Sequence, residues 1–297
     1  MNNNFPLISI IIPTYQRPDN LLRAISSAQK QTYPNIEIIV VDDNGIDSKW
    51  HYETEKILSS LIEHNVIKYV VHEINKNGSA ARNTGFRVAK GDYINFLDDD
   101  DEFLPEKLKA QYEELQKHDN TYGGCYCNSR IFGINRKFET NYVASGNIIE
   151  DILCGNVDFN TSSVLFRRSA LETINGFDES FWRHQDWELY VRFFRLYNIC
   201  VSGEKILMNK YSTPNEISKR PQRIIDYKEY FLSVYKDDIA KMNKKRYIYK
   251  HQYIDTALTL FGQGQKNNAC KYLFKSMHYG FPSLWNLSKI LYYLIFR

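Results

Sequence analysis

The stretch from Gly91 to Glu102 decides the fold and reads Gly-Asp-Tyr-Ile-Asn-Phe-Leu-Asp-Asp-Asp-Asp-Glu. Its first half, Tyr93 to Leu97, is apolar and aromatic enough to be a short buried strand. Four aspartates and a glutamate follow at once, and like charges this close raise one another's pKa values. Mg²⁺ or Mn²⁺ relieves that repulsion, because both prefer hard oxygen ligands and Mg²⁺ completes its shell with substrate phosphates. The stretch predicts a metal–diphosphate site, with a solvated acidic turn that caps the next helix as the simpler alternative.

Three apolar runs precede this stretch and alternate with helical patterns. Ile8 to Ile12, Ile36 to Val41 and Val66 to Val71 are typical of strands buried on both faces. The resulting β-α-β-α-β-α-β order predicts an α/β fold with an open parallel sheet covered by helices. Ligands of such sheets bind at the carboxyl ends of the strands. Polar residues converge on three of these ends: Pro13-Thr14-Tyr15, Asp42-Asp43 and Asp98 to Asp101.

The pattern changes near residue 212. Before that point, Cys125 to Phe132 and Ser162 to Arg167 are predicted strands, and Asp186 to Tyr197 is a predicted amphipathic helix. Around Met208 to Pro221 the sequence becomes polar and contains proline. We therefore expect a catalytic domain over residues 1–212 and a helical region over residues 213–297.

The helical region has two parts. Two amphipathic helices flank Gly262-Gln263-Gly264 and are similar to a single tetratricopeptide unit. The last stretch, Leu284 to Arg297, is apolar and aromatic, with Lys289 and Arg297 as its charges. It is either a packed terminal helix, which we favour, or an interfacial membrane anchor.

Composition excludes several classes of protein. A hydrophobic content of 43% and a charged content of 25% are ordinary for a globular protein, and a net charge of +3 is too small to indicate nucleic-acid binding. Five scattered cysteines without C-x-x-C spacing disfavour a zinc site or a disulfide framework. The N-terminus shows no signal pattern, and no run reaches the roughly 18 apolar residues of a membrane span. We expect a cytoplasmic protein, with peripheral contact at the inner face of the membrane left open.

As a set, the motifs resemble the family 2 glycosyltransferases, which have the Rossmann-like GT-A fold. The likeness covers roughly the first two-thirds of the chain, in the right order. It is carried by Ile8 to Tyr15, Ile39 to Asp43, Gly78 to Asn83, Gly91 to Asp101, Gly176 to Glu179 and Gln185 to Leu189.

The resemblance implies roles for the residues on the nucleotide side. Pro13 and Tyr15 line the nucleoside pocket, with Tyr15 packing against the base or ribose. Asp42 accepts a hydrogen bond from the base, which is uracil in most members of the family; a turn-forming role in Asp-Asn-Gly is the alternative. Arg82 contacts the donor diphosphate or holds the acidic loop, and a surface ion pair is nearly as good an interpretation.

The resemblance also assigns the metal ligands. Asp100 binds Mn²⁺ or Mg²⁺ most directly, with Asp98 as a second metal residue. Asp98 and Asp99 face the ribose and the metal-bound waters of the nucleotide sugar. Four aspartates stand in a row, so the register of this D-x-D motif is open by one residue.

Asp186 corresponds to the general base of the family. An inverting transfer needs a carboxylate within hydrogen-bond reach of the acceptor hydroxyl, opposite the leaving nucleotide. The family more often has an acid directly before this aspartate, where this chain has Gln185. A helix N-cap is the structural alternative for Asp186.

We therefore expect a metal-dependent, inverting glycosyltransferase that moves a sugar from a nucleotide sugar, with UDP favoured, to a glycan or lipid-linked acceptor in surface polysaccharide biosynthesis. A sugar nucleotidyltransferase needs a glycine-rich loop after the first strand, and Pro13 to Pro18 has no glycine. A dehydrogenase needs G-x-G-x-x-G at the same place, and that motif is absent as well. A catalytically inactive nucleotide-sugar-binding protein is the remaining alternative, and the presence of both the D-x-D motif and Asp186 disfavours it.

Overall fold

The computed structural model describes residues 5–133, 137–157, 159–211 and 221–296. Within these ranges the strands are β1 (Ile8–Thr14), β2 (Ile36–Asp42), β3 (Lys68–Val71), β4 (Tyr93–Phe96), β5 (Glu102–Phe103), β6 (Tyr122–Phe132), β7 (Lys137–Glu139), β8 (Val164–Arg167) and β9 (Asn198–Tyr211). The helices are α1 (Pro18–Gln29), α2 (Lys49–Glu63), α3 (Gly78–Val88), α4 (Lys107–Leu115), α5 (Ile149–Leu153), α6 (Arg168–Thr173), α7 (Gln185–Phe193), α8 (Pro221–Val234), α9 (Lys236–Lys241), α10 (Lys245–Gly262), α11 (Lys266–Met277) and α12 (Leu284–Phe296).

The strands form one mixed sheet, and β1 lies at the centre of its parallel half. β2 and β4 pair with β1 on either side, and β3 pairs with β2, all in parallel. Beyond β4 the order is β8, β6, β9 and β5. β8 is antiparallel to β4 and β6, whereas β9 runs parallel to β6. The predicted α/β class and the parallel order of the first four strands are confirmed.

Tight packing on both faces of β1 explains its continuous apolar sequence. Ile10 and Ile12 are fully buried in one cluster with Leu21 of α1. On the other face α3 packs so closely that a Cβ on Gly85 would clash with Ile11. A glycine at this position therefore lets α3 lie directly against the sheet, and this sets the distance between the sheet and the side chains of α3.

Several predicted boundaries are displaced in the structure. β6 begins at Tyr122 rather than Cys125, and β8 begins at Val164 rather than Ser162, because Ser162 and Ser163 lie in a 3-10 turn. The third strand begins at Lys68 rather than Val66, because the Val66 amide donates to the Leu61 carbonyl and closes the turn that ends α2. The predicted helix from Asp186 to Tyr197 is α7, which ends at Phe193. The strand β9 was not predicted, and its polar, exposed middle around Gly203 explains why.

The chain divides into two compact units. The first comprises the described residues up to Ile148 and from Phe159 to the end of β9. The second comprises Ile149–Val157 and the helices from Pro221 onward. In this second unit, Gln252 of α10 donates to the carbonyl of Leu153 at 2.8 Å, which connects the inserted segment to the helices. The predicted domain boundary at residues 212/213 lies outside the described residues.

The predicted pair of helices around Gly262 to Gly264 is α10 and α11. Their shared core contains Leu260 and Phe261 of α10 and Tyr272 of α11, and Ile290 of α12 packs into the same cluster. The last stretch is thus a helix whose one face is packed.

Candidate active site

The acidic turn, defined here as Asp98 to Asp101, begins where β4 ends. The Leu97 amide donates to the Ile11 carbonyl at 2.9 Å and continues the pairing with β1. The Asp98 amide donates to the Ser162 hydroxyl at 3.0 Å. The Asp101 amide donates back to the Asp98 carbonyl at 3.0 Å and closes the turn. Four carboxylates are thereby fixed at the carboxyl edge of the sheet.

Arg82 on α3 connects the acidic turn to the helix that carries Asp186. Its Nη2 atom lies 2.5 Å from Asp98 Oδ1, and its Nη1 atom donates to Gln185 Oε1 at 2.9 Å. Gln185 and Asp186 are the first two residues of α7. A Cβ on Gly78 would lie 2.9 Å from Arg82 Nη1 and from Gln185 Oε1, so the glycine leaves room for this contact. One guanidinium therefore brings the predicted metal turn and the predicted base helix together.

Arg17 also pairs with the acidic turn and is not among the residues predicted from the sequence. Its Nη1 atom lies 2.6 Å from Asp100 Oδ2 and 3.3 Å from Asp99 Oδ1. Arg23 of α1 donates to the backbone carbonyl of Asp100 at 2.7 Å. Charge repulsion within the turn is therefore offset by arginines from two helices and the loop before α1.

Burial favours the protonated form of two of the four carboxylates. It raises the pKa of Asp99 to about 7, against the opposing effects of Arg17 and of the Thr14 hydroxyl, which donates at 2.8 Å. It raises the pKa of Asp101 to about 7 as well, where the neighbouring carboxylates add to the rise and the Asn160 amide, donating at 2.9 Å, opposes it. A bound cation would lower both pKa values, because it favours the charged forms.

The acidic turn fits an open metal site rather than a closed cage. Among the residues that the structure describes, no three His, Cys, Asp or Glu side chains are arranged to hold a metal ion by themselves. Asp98 and Asp100 offer carboxylate oxygens on side chains that are partly open to solvent. Mg²⁺ takes one or two such ligands when substrate phosphates supply the others. The donor set therefore fits a metal that binds together with a diphosphate.

The ends of β1 and β2 lie side by side, because Thr14 pairs with Asp42. Pro13 is partly buried there, and Tyr15, just beyond β1, is 42% exposed. The Tyr15 hydroxyl accepts a hydrogen bond from Gln16 Nε2 at 2.9 Å. The Tyr15 ring is thus displayed at the sheet edge, where a planar base or a ribose can pack against it.

Asp42 is fully buried, and both of its carboxylate oxygens are hydrogen bonded. Oδ1 accepts from the backbone and side-chain N–H groups of Asn44 at 2.9 and 2.7 Å. Oδ2 accepts from the Tyr69 hydroxyl at 2.5 Å and lies 2.9 Å from His51 Nδ1. A base that bonds to Asp42 must share an oxygen with one of these donors or replace it.

Asp186 lies in the first turn of α7 and is partly exposed. Its Oδ1 accepts from the Trp187 amide at 3.0 Å. The other acidic residue of this turn, Glu188, is buried and is held by Arg192 through contacts of 2.5 and 2.6 Å. The helix starts after His184, which adopts a φ of 60° and stacks on Trp187. Asp186 is therefore the more accessible of the two carboxylates.

Polar residues from distant parts of the chain hold the acidic turn, and no sequence motif predicts them. Asn160 is 59 residues from Asp101 in the chain, and no motif or spacing connects the two. Tyr211 also contacts Asp101, through its backbone amide at 3.3 Å. Arg17 had a usable signal, since it is a cationic residue directly after the polar end of β1.

Comparisons with known proteins identify the family of the chain. The sequence profile of Glycosyl transferase family 2 matches residues 9–175, more than half of the chain. The chain belongs to the family 2 glycosyltransferases. One relative is the UDP-Glc:alpha-D-GlcNAc-diphosphoundecaprenol beta-1,3-glucosyltransferase WfgD of Escherichia coli, which is 30% identical over 205 residues. That alignment covers 69% of this chain and 76% of the relative.

Two solved structures confirm the predicted GT-A fold. TarS 1-349 of S. aureus in complex with UDP-GlcNAc has a TM-score of 0.59 and 16% identity, with 98% of this chain and 93% of that chain covered. The chain spans 54% of the longer TarS structure. The mannosyltransferase PcManGT from Pyrobaculum calidifontis, in complex with GDP-Man and Mn²⁺, has a TM-score of 0.59 and 14% identity, with 97% and 79% covered.

Proposed function

We propose that this glycosyltransferase is metal-dependent and inverting, and that it moves a sugar from a UDP-sugar to a hydroxyl of a glycan or lipid-linked acceptor. The observation that carries the proposal is the contact of Arg82 with both Asp98 and Gln185. An inverting transfer needs a cation at the leaving diphosphate and a carboxylate at the attacking hydroxyl. Arg82 brings the candidates for both tasks to one edge of the sheet.

The donor would lie along the ends of β1, β2 and β4. Pro13 and Tyr15 line the nucleoside pocket, with the Tyr15 ring against the base or the ribose. Asp42 accepts the imide N–H of uracil in exchange for one of its present donors. Arg82 contacts the diphosphate while it holds the acidic turn. UDP is supported by the names of the E. coli relative and of the TarS complex, whereas the archaeal structure holds GDP-Man.

Asp100 and Asp98 would hold Mn²⁺ or Mg²⁺, and Asp98 and Asp99 would also face the ribose and the metal-bound waters. When bound, the metal supplies positive charge that offsets the charge growing on the departing diphosphate. The Mn²⁺ in the archaeal structure supports this assignment. Arg82 and Arg23 keep the turn in one shape, so that its carboxylates need little rearrangement when the donor arrives.

Asp186 is the general base. As the acceptor oxygen attacks the anomeric carbon, an Asp186 oxygen takes the proton of that hydroxyl. The bond between the anomeric carbon and the diphosphate breaks, and the nucleoside diphosphate leaves with the electron pair. One displacement inverts the configuration, so an α-linked donor gives a β-linked product. Glu188 is not a second nucleophile, because Arg192 holds it in the interior.

The acceptor belongs to surface polysaccharide biosynthesis in this proposal. The E. coli relative is named for a sugar acceptor linked to diphosphoundecaprenol. A hydroxyl on such a lipid-linked glycan is the acceptor class that we assign to this chain.

A lipid-linked acceptor places the reaction at a membrane surface, and α12 offers a contact for it. None of the helices in the described ranges is long and apolar enough to cross a membrane. Leu284 and Trp285 of α12 are nevertheless 86% and 61% exposed, and its only charged residue before position 297 is Lys289. Residues 149–158 and 214–297 carry 15 lysines and arginines against nine aspartates and glutamates. We assign peripheral binding of α12 to an anionic membrane, at its inner, cytoplasmic face.

Calorimetry of nucleotide binding tests the donor and metal assignments together. UDP should bind much more tightly with Mn²⁺ than with EDTA, and more tightly than GDP or ADP. Asp100→Ala should abolish the Mn²⁺ effect and the transfer while the fold remains intact, since the change removes charge repulsion within the turn and leaves Asp99 as a partner for Arg17. Equal affinity for UDP in Mn²⁺ and in EDTA would eliminate the metal assignment. A ranking with GDP first would eliminate the uracil contact of Asp42.

A further inference from the structure

Arg17 forms an ion pair with Asp100, the carboxylate that the proposed metal needs. The same guanidinium nitrogen, Nη1, lies 2.6 Å from Asp100 Oδ2 and 3.3 Å from Asp99 Oδ1. The positive charge of Arg17 is therefore shared between the carboxylates of Asp99 and Asp100. The side chain of Arg17 is 29% exposed, so it has a route to move outward.

The metal and Arg17 cannot use this oxygen in the same way at the same time. A metal–oxygen bond to Mg²⁺ is about 2.0–2.1 Å long. A guanidinium within hydrogen-bond distance of the same Asp100 oxygen would therefore stand next to a doubly charged ion, and the two cations would repel each other. Arg82 contacts one oxygen of Asp98, the other proposed metal residue, but its second contact with Gln185 anchors it, so we treat Arg82 as a fixed part of the site.

We infer that Arg17 is the counter-cation of the acidic turn before a metal binds, and that it leaves Asp100 when the metal binds. Without metal, it keeps Asp99 and Asp100 charge-balanced and correctly placed. When the metal binds, the Arg17–Asp100 ion pair must break, and this cost lowers the affinity of the site for the free ion. The metal then binds well only together with a diphosphate. The inference rests on the metal site of the proposed function and concerns what competes for that site.

Arg23 provides a matched control for the effect of charge alone. It is also an arginine beside the acidic turn, but it donates to the backbone carbonyl of Asp100, and its guanidinium stacks on Tyr211 at 4.1 Å. Arg17→Gln and Arg23→Gln therefore remove the same charge from the same neighbourhood. Only the first removes a competitor for the carboxylate oxygen.

The test is Mn²⁺ binding to the nucleotide-free protein, measured by electron paramagnetic resonance of the unbound ion. We expect Arg17→Gln to bind Mn²⁺ more tightly than the native chain, on the order of tenfold for one partly buried charge pair. Arg23→Gln should change the affinity much less. Arg17→Lys, which keeps a cation at this position, should stay close to the native chain.

Thermal unfolding supplies a second measurement that does not depend on activity. In EDTA, Arg17→Gln should melt below the native chain, because the acidic turn has lost its counter-cation. Saturating Mn²⁺ should remove most of that difference. Unchanged or weaker Mn²⁺ binding in Arg17→Gln would overturn the inference and make Arg17 a permanent part of the site. If the native chain bound no Mn²⁺ even with UDP, the metal assignment itself would fail, and this outcome is separate from the first.

Discussion

The two compact units of the chain depart from the usual distribution of side chains in opposite directions. The first unit buries charge: Asp99, Asp101 and Lys107 are almost entirely inside. The second unit exposes apolar surface, with Leu284 and Trp285 of α12 largely open to water. Both arrangements cost free energy in an isolated protein, since buried charges need partners and exposed apolar patches favour association.

The difference between the units matches the two kinds of partner proposed above. At the acidic turn, Arg17 and Arg82 only partly compensate the buried negative charge, and the remainder suits the proposed cation, which would bind together with the donor diphosphate. On α12, Ile290 packs into the core of the second unit while Leu284 on the helix stays outside it. An apolar face of this size suits an extended surface rather than a small molecule. Lys107 is a buried charge whose hydrogen bond goes to Gln111 and not to the acidic turn, although Asp101 is near enough to influence its pKa, so it tests whether burial of charge by itself indicates function.

Changing Asp186 should have the largest effect. Asp186→Asn keeps the shape of the side chain but cannot take the proton of the acceptor hydroxyl. Turnover should fall on the order of 10²–10⁴-fold, while UDP binding in Mn²⁺ survives. Single-turnover transfer and calorimetry on the same preparation measure the two quantities.

The stereochemistry of the product sharpens this prediction. NMR of the anomeric proton should show a β-linked product from an α-linked donor. An α-linked product would rule out the single displacement, and full activity of Asp186→Asn would rule out the residue. Asp19→Asn, which changes an exposed carboxylate in the first turn of α1, is the control and should leave both quantities unchanged.

The Lys107 ammonium should influence stability but not donor binding. It donates to Gln111 at 2.8 Å and lies over the Phe103 ring, and burial lowers its pKa to about 8. Above pH 8 the unfolded chain still holds a proton that the folded chain has released, up to the unfolded pKa of about 10.5. Stability of the native chain should therefore rise with pH across this window, relative to Lys107→Met, by about 1–3 kcal/mol.

Urea unfolding at pH 7 and pH 10 measures this difference. Below pH 8 Lys107 is protonated in both the folded and the unfolded chain, so the buried charge destabilises the fold fully there. The free energy of unfolding of Lys107→Met should then be highest relative to that of the native chain. Nearby Cys127, whose pKa burial raises to about 11, titrates in both proteins, so only their difference is interpreted. Lys56→Met on the exposed face of α2 should show no such trend. A difference that does not change with pH would contradict the burial of a titrating charge.

The parallel half of the sheet could be predicted from sequence because each strand there is a continuous apolar run. The same local rule identified the acidic turn, since Asp98 to Asp101 directly follow β4. It failed for β9, whose apolar ends are separated by Ser202 to Lys205, a polar stretch with exposed residues at Gly203 and Glu204. A strand with such an interruption has neither the continuous nor the alternating pattern on which the prediction depends.

The candidate site was less predictable than the sheet, because its contacts join residues that are distant in sequence. The Arg17 side chain meets Asp100 across 83 positions, and Arg82 meets Gln185 across 103. A motif can identify a residue type at a strand end, but it cannot show which distant side chain pairs with it. The saturated hydrogen bonding of Asp42 was unpredictable for the same reason, since His51 and Tyr69 come from two other elements.

The outer face of α12 should give the smallest effect on stability and a selective effect on membrane binding. The double change Leu284→Glu with Trp285→Glu adds two charges to side chains that are exposed, so the free energy of unfolding should change by about 0.5 kcal/mol or less. Flotation with vesicles that contain anionic lipid should show the native chain bound and the double variant free.

Ile290→Ala is the matched change on the packed face, and it should lower the unfolding free energy by about 2–4 kcal/mol while leaving the outer face able to bind. A double variant that melted as early as Ile290→Ala would show that the outer face is packed against protein. If the native chain bound uncharged vesicles equally well, the basic residues of the second unit would not contribute to membrane binding, and the apolar face alone would account for it.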